Sequence, residues 1–385
     1  MIYLDSAATT PVRLEVLEAM WPYLTGEFGN PSSHHELGAR AQEGLEAARA
    51  EVAAVLGCRP SEVTFTSGGT EADNLAVKGI ALARRAADSR RNRVAVSAIE
   101  HPAVLESARS LARLHGFQVD VVPVDSVGRV TPEALADAVG PQTAVASIMY
   151  ANNEVGTVQP VPELAAASRA VRVPFHTDAV QAAGWLPLDV RALGVEALSL
   201  SGHKLGAPKG VGALFVAGRV AVEPLVDGGG QERGLRSGTE NVAGAVAFAT
   251  ALRLADAERT TSATRLAGLR DAFIGRVLAL VPDAMLTGHP TERLPGSASF
   301  CFPRVSGESV LLELERRGIV CSSGSACAAG SSDPSHVLTA MGIAPVVALT
   351  AVRFTLPGTA DAEELDRAAD AVAQAYDAVA SLGTR

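Results

Sequence analysis

The sequence predicts an α/β protein built on a mostly parallel seven-stranded sheet, with a smaller α+β domain beside it. Three observations carry that expectation. Between residues 63 and 216, short apolar runs of four to six residues alternate with stretches of helical spacing. The segments near both ends show a different pattern, with helices flanking a few strand-like runs. At 385 residues the chain also exceeds what one hydrophobic core usually organises, which makes two or three domains the prior. Strand–helix alternation is the pattern of a sheet covered on both faces, because each crossover lays a helix over it.

In chain order, Thr10-Pro11 reads as the start of a helix that places Leu14, Leu17 and Trp21 on one face. Residues 63–66, 94–98, 119–122, 144–149, 173–176, 197–200 and 212–216 read as strands. Thr131-Pro132-Glu133 supplies an N-cap with proline at the first helical position, and Leu135 and Val139 lie one turn apart. Further strand-like runs lie at 298–302, 318–321 and 352–356, with a helix at 309–317. From Asp361 onward Leu365, Val372, Tyr376 and Val379 recur at helical spacing. The expected division is a large domain over 14–260 and a small one formed by 1–13 with 261–385.

Composition removes several function classes. Hydrophobic residues at 48% and charged residues at 19% exclude a disordered chain. No apolar run approaches the roughly 18–20 residues of a membrane span. A net charge of −9 argues against a nucleic-acid surface. Met1 runs straight into Ile2-Tyr3-Leu4-Asp5 with no leader pattern, so a cytoplasmic protein is expected. The cysteines at 58, 301, 321 and 327 form no CxxC pair, so neither a disulfide framework nor a resident metal site is expected. Lysine is rare: among 33 basic residues only Lys78, Lys204 and Lys209 carry an amine.

Open α/β sheets bind ligands beyond the carboxyl ends of their strands, so the residues just past each strand are informative. After 63–66 comes Ser67-Gly68-Gly69-Thr70-Glu71, a glycine turn entering a helix, able to bring bare N–H groups to an anion. Glu100-His101 comes after 94–98, and Asn152-Asn153-Glu154 after 144–149. Thr177-Asp178 and Gln181 come after the next strand, and Ser201-Gly202-His203-Lys204 after the one beyond it. Each cluster alone is an ordinary capped loop; four at consecutive strand ends, one of them holding a scarce lysine, form a set. No GxGxxG and no GxxxxGK[ST] occurs, so neither a dinucleotide fold nor a triphosphate loop is supported. The set suits pyridoxal phosphate, which needs an amine for its Schiff base, a carboxylate at its pyridine nitrogen and an anion cradle. Lys204, Asp178 and the Ser67–Thr70 turn supply one of each, and His101 would lie against the ring.

Five motifs then carry a resemblance. Tyr3-Leu4-Asp5-Ser6-Ala7-Ala8-Thr9-Thr10-Pro11, Phe28-Gly29-Asn30-Pro31-Ser32-Ser33, Ser201-Gly202-His203-Lys204, Arg236-Ser237-Gly238-Thr239 and Ser322-Ser323-Gly324-Ser325-Ala326-Cys327 resemble the signature motifs of cysteine desulfurases. These are class-V, fold-type I pyridoxal-phosphate enzymes, and the likeness runs in order and spacing from residue 3 to about 357. It implies Lys204 as the Schiff-base lysine, Asp178 at the pyridine nitrogen, and His101 as the ring-stacking residue that also moves protons. It implies Gln181 and Asn153 near the phenolic oxygen, with Asn153 also near substrate. Gly69, Thr70, Ser201 and His203 would hold the phosphate, joined by Thr239 from the second subunit of a homodimer. Arg353 would pair with the substrate carboxylate, a task suited to its planar fork.

Cys327 lies among Gly324, Ser325, Ala328, Ala329 and Gly330, a segment with little apolar content, which suits a thiol that attacks sulfur and carries it outward as a persulfide. Its surroundings up to Pro334-Ser335-His336 resemble the longer-looped members of the family. Cys58, Cys301 and Cys321 are expected to be packed. The resemblance implies conversion of L-cysteine to L-alanine with sulfur held on Cys327 and passed to a protein acceptor for iron–sulfur cluster assembly or thiolation. Cys327 is the one side chain expected to touch an iron–sulfur cluster, transiently, during transfer. The alternatives are a selenocysteine lyase or a cysteine C–S β-elimination lyase on the same fold, and a non-catalytic assembly subunit.

Overall fold

A computed structural model describes residues 1–323 and 333–382. The large sheet has seven strands in the order Val63–Thr66, Gly212–Val216, Ala197–Ser201, Phe175–Asp178, Thr143–Ser147, Arg93–Ser97 and Gln118–Val122. Gly212–Val216 pairs antiparallel with both of its neighbours, and every other pairing is parallel. Apart from the edge strand Gln118–Val122, these strands are buried almost throughout, which is why they read as unbroken apolar or small-residue runs rather than as alternation. Thr131 caps the helix Pro132–Ala138 as expected, its Oγ1 accepting from the Ala134 N–H at 3.1 Å.

A second sheet of three antiparallel strands, Ala351–Thr355, Ser297–Cys301 and Met285–Leu286, has its own apolar core. Phe273 and Phe354 meet edge to face there at 5.3 Å between ring centres. The helix Val242–Leu280 links the two layers. Val242, Ala245, Phe248 and Leu252 belong to the core under the large sheet, and Leu266, Phe273, Ile274 and Val277 to the second. Among the described residues no helix is long and apolar enough to cross a membrane.

Of the boundaries that differ from the sequence reading, three have a local reason. The strand expected at 173–176 lies at Phe175–Asp178, because Pro174 has no N–H to give the ladder. The first helix is Leu14–Thr25, not a helix from Thr10. The Thr10 hydroxyl instead donates to the His203 carbonyl at 2.9 Å and accepts from the Gly206 N–H at 3.0 Å, tying this stretch to the turn that carries Lys204. The expected strand at 318–321 is reduced to Ile319–Val320, which pairs parallel with Ile2–Tyr3.

Candidate active site

Around the carboxyl ends of the central parallel strands lies a cavity of about 530 Å³. Its lining includes the turn after Val63–Thr66. Gly68 sits at φ 152°, in a region that favours glycine. A Cβ on Gly69 would stand 2.8 Å from Val180 Cγ2, and one on Gly212 would stand 2.7 Å from Gly68 Cα. Bare backbone is therefore required where the helix Gly69–Asn74 begins; it continues through a π-helical turn, Leu75–Gly79, into Ile80–Ala87. Free N–H groups at such a start favour an anion. Thr70, Ser201 and His203 line the same cavity.

His101 caps the helix Pro102–His115, its Nδ1 accepting from the Ala103 N–H at 3.1 Å, which leaves the ring proton on Nε2. Burial lowers its pKa, with Asp178 pulling the other way, so the ring is neutral at pH 7. Asp178 ends its strand, and its Oδ1 accepts from the Val180 N–H at 2.8 Å. Burial raises its pKa, while His101 and Lys204 oppose that rise. Lys204 closes the short 3-10 turn after Ala197–Ser201, and its Nζ donates to the carbonyls of Ala7 at 2.5 Å and Ala8 at 2.7 Å. Gln181 Nε2 reaches the same Ala7 carbonyl at 3.0 Å. Burial, then Lys204 and Lys209, push His203 down to about 4.

Arg353 comes from the other sheet, in Ala351–Thr355. Its Nη1 donates to the Asn153 carbonyl at 3.0 Å and its Nη2 to Asp5 at 2.7 Å. The structure thus brings Gly69, Thr70, His101, Asn153 and Asp178 into one cavity with Gln181, Ser201, His203, Lys204 and Arg353. Thr239 is exposed and lines no part of it. Cys327 lies outside the described residues. Cys321 is half-buried, and burial, then Asp5, push its thiol up to about 12.

Sequence reasoning missed Asp73 and gave Lys209 no part in the cavity, yet both line it. Asp73 is fully buried, with no hydrogen-bond partner for Oδ1 among the described residues, and burial and Asp178 raise its pKa. Its only sequence signal is a carboxylate one helical turn after Gly69, beyond the glycine turn that drew attention. An amine, a buried carboxylate and a bare-backbone anion cradle in one cavity are the donor set that pyridoxal phosphate requires.

A family model described as aminotransferase class-V matches residues 2–368. The chain is 45% identical over 371 residues to a cysteine desulfurase IscS of Methanosarcina thermophila, covering 96% of this chain and 91% of that protein. It is 46% identical over 371 residues to an IscS-like cysteine desulfurase of Mycobacterium tuberculosis, covering 96% and 94%. Among solved structures, a NifS-like protein superposes with a TM-score of 0.90 at 38% identity, covering 97% of this chain and 98% of that one. A structure described as SspA in complex with cysteine superposes with a TM-score of 0.80 at 34% identity, covering 93% and 99%. Fold, cavity and likeness over nearly the whole length converge: the chain belongs to the class-V aminotransferase family.

Proposed function

We propose that this protein is a pyridoxal-phosphate-dependent cysteine desulfurase that converts L-cysteine to L-alanine and passes the sulfur, held as a persulfide on Cys327, to an acceptor protein. The observation that carries the reading is the opening of Lys204, Asp178 and Arg353 on one cavity: an amine, a buried acid and a receptor for an α-carboxylate. Relatives named cysteine desulfurase at 45% and 46% identity support the same substrate.

Lys204 would hold the cofactor, with Asp178 at its ring nitrogen, His101 at its face and the Gly68–Thr70 turn with Ser201 and His203 at its phosphate. When bound, the cofactor supplies an electron sink that acidifies the substrate Cα–H and weakens the Cβ–S bond. The remaining work falls to side chains. Arg353 takes the substrate carboxylate and so fixes which Cα bond faces the cofactor. The Lys204 amine and the neutral His101 ring would accept and return a proton at the substrate's Cα. The Cys327 thiolate attacks the substrate sulfur: one S–S bond forms, the Cβ–S bond breaks, and a proton delivered to Cβ completes alanine. Substrate and enzyme thiol thus become alanine and enzyme persulfide with no external oxidant.

The protein works as a homodimer in this reading, with Thr239 reaching the neighbour's phosphate, and its large and small domains divide within the helix Val242–Leu280 near residue 260. The test is cysteine-dependent alanine release together with persulfide mapped to Cys327. Pyruvate and free sulfide instead of alanine would move the function to the β-elimination lyase, and preference for selenocysteine to the selenocysteine lyase.

A further inference from the structure

The N-terminal strap, residues 5–10, holds both halves of the cavity. Asp5 Oδ1 lies 2.7 Å from Arg353 Nη2, with the Asp5 side chain 15% exposed and the Arg353 side chain 3%. The strap is fixed at this end by three further bonds. The Ser6 N–H donates to the Thr355 carbonyl at 3.1 Å, the Ala7 N–H to Thr355 Oγ1 at 2.8 Å, and the Tyr3 hydroxyl to the Asp5 carbonyl at 3.0 Å. Two and three residues on, Ala7 and Ala8 accept from Lys204.

A guanidinium is a rigid plane with five donors, so holding its two terminal nitrogens fixes where the third points. In Arg353, Nη1 is held by the Asn153 carbonyl and Nη2 by Asp5. Nε is buried and has no partner among the described residues. A buried donor left without a partner is costly, so an acceptor arriving there gains both a charge and a missing bond. We infer that Asp5 is a positioning residue for substrate: with the Asn153 carbonyl it orients Arg353 so that the N–H groups left unbonded, that of Nε among them, serve the substrate's α-carboxylate. This rests on the reading of Arg353 as the carboxylate receptor. Asp5 itself need not touch substrate.

The test uses the cofactor-loaded enzyme and two probes, L-alanine, which has the carboxylate, and L-alaninamide, which lacks it. In Asp5→Ala, KM for L-cysteine and the inhibition constant of L-alanine should each rise about tenfold, while kcat and the inhibition constant of L-alaninamide stay within about twofold. Asp5→Asn keeps an oxygen acceptor in place and should recover most of the loss. Partial unfolding lowers the amount of active enzyme but leaves the ratio of the two inhibition constants unchanged, so the ratio remains readable in a weakened variant. An unchanged ratio in Asp5→Ala overturns the proposal, as does an Asp5→Asn variant equally impaired in that ratio. Arg353→Ala separates the two levels: if it leaves the inhibition constant of L-alanine unaltered, the assignment of Arg353 fails with it.

Discussion

At the scale of single residues, two choices between like side chains decide the chemistry. Lys204 and Lys209 both line the cavity, so proximity does not separate them. Lys204 is distinguished by its place directly after a central strand and by the two strap carbonyls that its amine donates to. Borohydride reduction of the loaded protein and peptide mapping should mark Lys204 alone, and Lys204→Ala should lose turnover by at least about 100-fold. A label on Lys209 would show the assignment to be wrong. The second choice is between Cys321 and Cys327. A thiol pushed up to about 12 is almost entirely protonated at pH 7, and the thiolate is the nucleophile, so Cys321 is a poor attacker where it stands. Cys321→Ser should therefore keep most alanine release and lose about 1–3 kcal/mol of stability from a hydroxyl without a partner. Cys327→Ser should bind cofactor normally and release no alanine. Persulfide found on Cys321 in the wild-type protein would reverse both expectations.

At the scale of elements, polar groups buried at the strand ends make stability depend on pH. Glu100, just after Arg93–Ser97, is fully buried; its Oε1 accepts from Ser97 Oγ at 2.5 Å and the Met149 N–H at 2.8 Å. Burial raises its pKa from 4.5 to about 8, so the folded protein keeps this proton at pH 7 while the unfolded chain has released it. The folded state binds the extra proton, so this contribution is complete below about 4.5 and is lost as pH rises through about 8. The neutral, buried His176, lowered to about 3, contributes with the opposite sign at acid pH, so the informative quantity is a difference. The unfolding free energy of wild type minus that of Glu100→Gln should shrink steadily from about pH 5 to about pH 8.5; a flat difference would place Glu100 as an ordinary carboxylate. Elements were also where the sequence was most legible. Strands buried on both faces leave unbroken apolar runs, and the polar residues just beyond them, His101, Asp178 and Lys204, stood out against those runs. What stayed hidden depends on contacts with no local trace. Asp5 meets Arg353 across 348 positions of chain, and Thr10 bonds the His203 carbonyl across 193, so neither the strap nor the late start of the first helix could be read from neighbours in sequence. Asp73 was hidden because a carboxylate inside a helix ordinarily faces water.

At the scale of the whole molecule, a single chain leaves two things undone. The helix Leu14–Thr25 turns Leu14, Leu17, Trp21 and Leu24 to solvent, with Trp21 65% exposed, and Phe28 lies just beyond it. A contiguous apolar strip of this kind is what a protein surface covers on association. Thr239 also stands outside its own chain's cavity, in a stretch anchored by a buried Arg49–Glu232 pair at 2.7 Å and by positive φ at Glu232 and Arg233. An ion pair buried this deeply and two strained residues side by side hold that stretch in one conformation, with Thr239 itself outside the cavity lining. If Thr239 serves a neighbour, defects in different subunits should complement. Subunits carrying Lys204→Ala and subunits carrying Thr239→Ala, mixed under conditions that exchange partners, would form a hybrid with one doubly defective site and one site intact in both residues. The mixture should recover cysteine turnover with wild-type cofactor affinity, up to half of one wild-type dimer per hybrid, while neither variant alone does so. If Thr239 acted within its own chain, every hybrid site would carry one defect and no wild-type affinity would return. Sedimentation of the same mixtures fixes the stoichiometry, and fully active monomers at assay concentration would remove the need for a partner altogether.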